Sequence, residues 1–204
     1  VYIAKEVDGK FEKAKLLDER VNSNDYSEEV VGLKSDGTVA VMYLEDKDGR
    51  GNLHLSRYDN GQFFEPVKLN KKINSKFTEI AGSISQDGKS IYFASDRPLD
   101  GEAKKGDYNI WISKKNNSNW SKPIALDSTI NKEGDEFYPS LSKNGNLYFT
   151  ATRKGGIGRE DIYYSRLING KYQEAIVLDS NINSTVYEFN AYINPYENLL
   201  IFSA

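Results

Sequence analysis

Slid along itself, the sequence falls into register four times. Phe11, Phe63, Trp120 and Tyr172 align, and so do Asn22, Asn74, Asn131 and Asn183, each set at steps of 52, 57 and 52 residues. A period near fifty, carried by aromatic and turn-forming residues, is the signature of a small β unit stacked several times over. Such a unit cannot bury its apolar surface alone, so the copies must pack on one another. One repeat running through 204 residues makes a single domain, 1–204, rather than two.

Each unit reads as two hairpins. A first strand (VYIAK, LHLSR, IWISK, IYYSR) leads into a turn at Asp8-Gly9, Asn60-Gly61, Asn116-Asn117-Ser118 and Asn169-Gly170. Asn-Gly and Asp-Gly accept the positive φ of tight hairpin turns. The register aromatic and a Leu follow as a short outer strand. A crossing segment then carries the repeated Asn, and five or six residues later comes Glu28, Glu79, Glu136 or Glu188. The second hairpin turns at Asp36-Gly37, Asp87-Gly88, Asn144-Gly145 and Glu197-Asn198. Ile91-Tyr92-Phe93 and Leu147-Tyr148-Phe149 are apolar at every position, as in strands buried on both faces. No stretch sustains the apolar spacing of a helix. The expected architecture is an all-β propeller of four-stranded antiparallel blades, with about four repeats. The ends supply half-blades, which either pair to close a four-bladed ring or form the edges of an arc from a larger propeller. Closure or near-closure is favoured, since an open arc exposes apolar blade faces.

The phrases resemble the WD40-like (PD40) β-propeller repeat, the family found in the TolB propeller. The resemblance rests on Pro139, Ser142 to Gly145, Tyr148-Phe149, Arg153, Gly155-Gly156-Ile157-Gly158 and Asp161-Ile162-Tyr163. A second match runs through Ser85 to Gly88, Tyr92-Phe93, Ser95, Arg97, Gly106 and Asn109-Ile110-Trp111, while the first copy is degenerate. In style the repeats look most like Bacteroidetes envelope proteins that combine such propellers with tetratricopeptide repeats and OmpA-like domains. That resemblance implies a periplasmic, outer-membrane-associated scaffold, linked to a secretion system or to peptidoglycan. The chain begins Val-Tyr-Ile-Ala, as an excised or processed piece of a longer protein would.

Function classes narrow from the residues present. With 27 Lys and Arg against 30 Asp and Glu, mixed along the chain, there is no basic footprint for nucleic acid. No apolar run is long enough for a membrane span. There is no cysteine and one histidine, His54, which sits in an aromatic strand slot and reads as packing. That leaves too few nitrogen and sulfur ligands for zinc and no thiol nucleophile. Equivalent Glu residues repeated around a ring are the opposite of a glycosidase pair, whose two acids need different environments. They are expected to accept backbone hydrogen bonds or to pair with Arg97 and Arg153. Asp46, Asp48 and Asn52 lack the terminal Glu of a calcium loop and read as a turn. No cofactor is expected, and no catalytic or metal residue is assigned.

What remains is a non-catalytic interaction scaffold with a protein partner in the cell envelope. Its contacts are sought where copies depart from one another. The longest departure is the insertion Pro98–Asp107. Candidate contacts are Arg97, Pro98, Asp100, Lys104, Lys105, Tyr138, Arg153 and Tyr187. The alternatives are a glycan or peptidoglycan module, with Tyr138 or Tyr187 stacking on sugar, and an accessory propeller of a glycosidase or peptidase.

Overall fold

The computed structural model describes residues 1–17, 19–22, 27–34, 36–45, 47, 49, 51–99 and 107–204. Among them there is no helix. Three blades are complete. Blade one runs Glu28–Leu33, Val39–Glu45, Gly51–Asp59, then an outer strand in two pieces, Gln62–Phe63 and Val67–Lys68. Blade two repeats this as Glu79–Ile84, Ser90–Ser95, Asn109–Asn116, Asn119–Trp120 and Ile124–Ala125. Blade three has Glu136–Leu141, Leu147–Ala151, Asp161–Ser165 and Ile176–Val177, all antiparallel like their counterparts. After the rungs Tyr58↔Phe63 and Asp59↔Gln62 the outer strand breaks where the Ser56 hydroxyl, rather than a backbone N–H, donates to the Phe64 carbonyl, as Ser113 does to Ser121 one blade on. The turn residues Asn60, Asn117 and Asn169 sit at φ 48°, 52° and 51°, as two-residue hairpins demand.

Apolar packing runs between blades. Ile91 and Phe93 face blade one, joining Val31, Val41 and Leu53, while Tyr92 and Ile110 face blade three, joining Leu141, Leu147 and Phe149. The uninterrupted apolar run at 91–93 follows from this double burial. Serine hydroxyls on the innermost strands tie the blades further. Ser83 accepts from the Leu141 N–H at 3.3 Å, and Ser140 from the Ile193 N–H at 3.0 Å.

The ends stay apart. Phe189–Ile193 pairs with Leu200–Ser203, and Tyr2–Ile3 with Lys15–Leu16. No ladder joins the two half-blades among the described residues, so the ring is not closed by strand pairing, although Ile201 of the last half-blade and Val31 of blade one line the same cavity. Blade one's free face is met instead by Leu17 and Val21, which pack on Ala40 and Met42.

Every innermost strand carries a register shift near its start: between Val30 and Gly32, Glu79 and Gly82, Phe137 and Ser140, and Phe189 and Tyr192. These bulges bend the strands around the axis and re-aim the side chains that line it.

Candidate functional site

The repeated polar residues are engaged inside the blades. Asn74 accepts from the Leu53 N–H and donates to the carbonyls of Leu53 and Leu69. Asn131 does the same with Ile110 and Leu126, and Asn183 with Ile162 and Leu178. Each buried amide imitates a strand's peptide group and seals the gap where the crossing segment leaves the sheet.

The repeated glutamates close the same crossings. Glu79, almost fully buried, accepts from the Ser75 N–H and hydroxyl, the Ser95 hydroxyl and Arg97 Nη2 at 2.7 Å. Glu188 holds the Ser184 N–H and hydroxyl. Among the described residues Glu136 accepts only from the Lys132 N–H at 3.2 Å and Arg153 Nη2 at 2.9 Å. With fewer donors, burial dominates and pushes its carboxyl up to about 7. The expected pairing with Arg97 and Arg153 is therefore present. Both guanidiniums lie inside the blades, Arg97 over Phe93 and Trp111 and Arg153 over Phe149 and Tyr163. His54 packs in its strand with Nδ1 at 2.9 Å from the Asn52 carbonyl, and burial lowers its pKa.

The remaining candidates scatter. Pro98 is half-buried at the start of the long insertion. Asp100, Lys104 and Lys105 lie outside the described residues, as do Asp46 and Asp48 of the suspected calcium loop. Among the described residues no three His, Cys, Asp or Glu side chains form a metal cluster. Tyr187 is exposed and accepts from Arg159 Nη1 at 2.7 Å.

Tyr138 stands apart. It is an aromatic residue at φ 48°, in the left-handed region where bulky side chains are outliers, and Asn190 occupies the same position one blade on at φ 54°. Both line a cavity of about 290 Å³ on the propeller axis, with Val31 and Leu33 of blade one, Ser83 of blade two and Ile201 of the last half-blade. Innermost strands from four repeats thus converge on one opening. Around Tyr138 the aromatics run on: Tyr108 lies 5.3 Å from Phe137, Phe137 6.0 Å from Tyr138, and Tyr138 6.2 Å from Phe189. Two carboxylates act on Tyr138. Burial raises the Tyr138 phenol, and the charges of Glu29 and Glu160 raise it further. Glu29 and Glu160 are themselves raised, both by burial and Glu160 also by Asp135. Asn190 carried no sequence signal beyond its place two residues after the repeated Glu, where the copies read Val30, Ala81, Tyr138 and Asn190.

No protein-family model matches the chain. No curated protein matches its sequence. Solved structures do match in fold. TolB from Acinetobacter baumannii superposes with a TM-score of 0.54 at 15% identity, over 89% of this chain and 39% of that one. A putative TolB from Agrobacterium tumefaciens gives 0.55 at 13% identity, over 100% of this chain and 70% of its own length. The chain is an all-β propeller of the TolB type in fold, and it spans about two-fifths of the first of these proteins.

Proposed function

We propose that this chain is a non-catalytic interaction module of a bacterial envelope, periplasmic and associated with the outer membrane. It takes a segment of a protein partner at the Tyr138 end of its axial cavity. The single observation that carries this reading is Tyr138 itself. A bulky residue held at φ 48° on a bulge, aimed into a cavity shared by four repeats, is strain kept at a place where side chains meet something else. The carboxylates Glu29 and Glu160 favour a partner segment bearing Lys or Arg, which the aromatic faces also attract. Two of the repeated acids are bonded into their own crossings, which leaves them poorly placed for chemistry.

A photoreactive phenylalanine analogue at position 138 tests this in cells. Crosslinked protein adducts are expected from position 138 and none from position 196, whose Tyr is exposed beside the second-hairpin turn of the last half-blade. Equal yields from both positions, or none from 138, reject the reading. The row Tyr108, Phe137, Tyr138 and Phe189 also suits a second reading, a glycan or peptidoglycan strand stacked on aromatic faces. In that case muropeptides quench tyrosine fluorescence in the purified protein, and Tyr138→Ala abolishes the response.

A further inference from the structure

Arg97 and Arg153 occupy the same place in successive blades, but only the first is fully engaged. Arg97 donates from Nε to the Ser95 hydroxyl at 3.0 Å and from Nη1 to the Lys72 carbonyl at 3.1 Å. From Nη2 it donates to the Ile73 carbonyl and to Glu79. Among the described residues Arg153 donates from Nη2 alone, to the Ile130 carbonyl at 2.7 Å and to Glu136. Its Nε and Nη1 have no partner among them, although the side chain is only 5% exposed. The phenol of Tyr163, whose ring lies 4.5 Å from the guanidinium carbon, is buried and equally without a partner. A buried donor left unpaired destabilises the fold, and more so on a charged group. Three such donors together point to an absent acceptor.

The cause is legible in the repeat. Where blade two has Ser95, blade three has Ala151; Ser75 becomes Lys132, and Trp111 becomes Tyr163. Each change removes an internal partner of the guanidinium and its glutamate, adds a cation, or adds a hydroxyl. Two cavities, of about 460 Å³ and about 300 Å³, are both lined by Lys132, Arg153 and Lys154. The smaller also touches Tyr163 and an apolar wall of Ile176 and Val177. Lys132 pairs with Glu174 and Lys154 with Glu133, both through solvent-exposed side chains. Pairs of that kind contribute little and yield easily to a better acceptor. Glu136 stays on Nη2 and does not compete for Nε or Nη1.

We propose that this pocket of blade three binds a small ligand with a carboxylate and a short apolar substituent. The carboxylate accepts from Arg153 and Tyr163 and is drawn in by Lys132 and Lys154. The substituent lies on Ile176 and Val177. The site is separate from the axial cavity, with no lining residue in common.

N-acetylalanine is the probe, titrated at constant ionic strength against chloride and followed by amide NMR shifts and by Tm. A saturable response at residues around Arg153 is expected, with inorganic phosphate at least tenfold weaker. Tyr163→Phe is expected to weaken binding at least fivefold. Ala151→Ser restores the blade-two hydroxyl for Nε, so it is expected to raise Tm and also weaken N-acetylalanine at least fivefold. Because this variant repairs a contact, the test survives if Tyr163→Phe fails to fold. No saturable response beyond chloride overturns the proposal. So does phosphate binding as tightly as N-acetylalanine, or unchanged affinity in Ala151→Ser.

Discussion

Asn74 and Leu53 are joined through both of Leu53's backbone groups: Oδ1 accepts its N–H at 2.8 Å, and Nδ2 donates to its carbonyl at 2.9 Å. A second donation from Nδ2 reaches the Leu69 carbonyl at 3.0 Å. One side chain therefore supplies three hydrogen bonds where the crossing segment leaves the sheet, one of them shared, since the Leu53 carbonyl also accepts from the Leu69 N–H at 3.0 Å. Asn74→Ala leaves the Leu53 N–H and the Leu69 carbonyl buried without that partner. At roughly 1 kcal/mol or more for each, the loss is about 2 kcal/mol. Asn74→Asp costs at least as much, because both donors vanish and a charge is buried. Urea unfolding of the two variants checks this, with unchanged midpoints as the contrary result. Asn22→Ala, at the half-exposed N-terminal copy, is expected to cost less than Asn74→Ala.

Glu136 should give stability an inverted pH dependence. Its Oε2 has no partner, and burial holds the folded carboxyl at about 7 against an ordinary value of 4.5. Between those values the unfolded chain has lost this proton while the folded one keeps it. The folded state then binds more protons, so stability falls as pH rises through the window and levels off above it. The contribution is on the order of 3 kcal/mol. Asp36, which burial pushes up but which hydrogen bonds from Lys34 and Thr38 and the Lys34 charge together hold down at about 2, acts the other way and only in acid. Glu136→Gln isolates the effect: relative to wild type it should gain stability between pH 5 and pH 8. A difference that stays flat with pH refutes the assignment.

Gly32 marks where the innermost strands of blades one and two come closest. A Cβ built there would lie 1.9 Å from the Gly82 carbonyl oxygen, a backbone atom that cannot swing aside. Gly32→Ala must separate two blades, and a loss of about 3 kcal/mol is expected, the upper end of the range for overpacked core sites, because the clash is with backbone. Gly9→Ala is the control. It meets nothing within 4 Å, so only its φ of +76° is strained, at about 1 kcal/mol. Thermal melts of the pair should rank in that order.

Recurrence made part of this molecule readable from its residues alone. Glu79 and Glu136 with Arg97 and Arg153 recur together, and a repeated acid beside a repeated base pairs within each copy. The Asn series recurs as plainly, yet its role was not legible, because an amide standing in for a peptide group depends on a gap visible only in space. The bulges were hidden for another reason. Glycine would have announced positive φ, but Tyr138 and Asn190 occupy those positions, so the strongest marker of the axial cavity carries ordinary residue types. Ring closure was expected from the cost of exposed apolar faces. The half-blades instead leave Tyr2, Leu16 and Ile201 in solvent.

Glu197 replaces a glycine and is held by its neighbours in blade three. In the other second-hairpin turns the residue whose N–H closes the turn is Gly37, Gly88 or Gly145. Here it is Glu197, at φ 59°, bonded to the Asn194 carbonyl. Its carboxylate accepts from Asn146 Nδ2 at 2.9 Å and from the Tyr148 hydroxyl at 3.1 Å, pinning the last half-blade to blade three. Burial and this carboxylate together raise the Tyr148 phenol. Two opposing effects can therefore be separated. Glu197→Gly removes both bonds and the strain, whereas Glu197→Ala removes the bonds and keeps the strain, so alanine should be worse by about 1 kcal/mol. Coupling to Tyr148→Phe in a double-mutant cycle should be about 1.5–3 kcal/mol, the range for a hydrogen bond to a charged group. If glycine and alanine are equal and the cycle closes at zero, the turn is held by its backbone bond alone and the carboxylate contributes nothing to docking the half-blade.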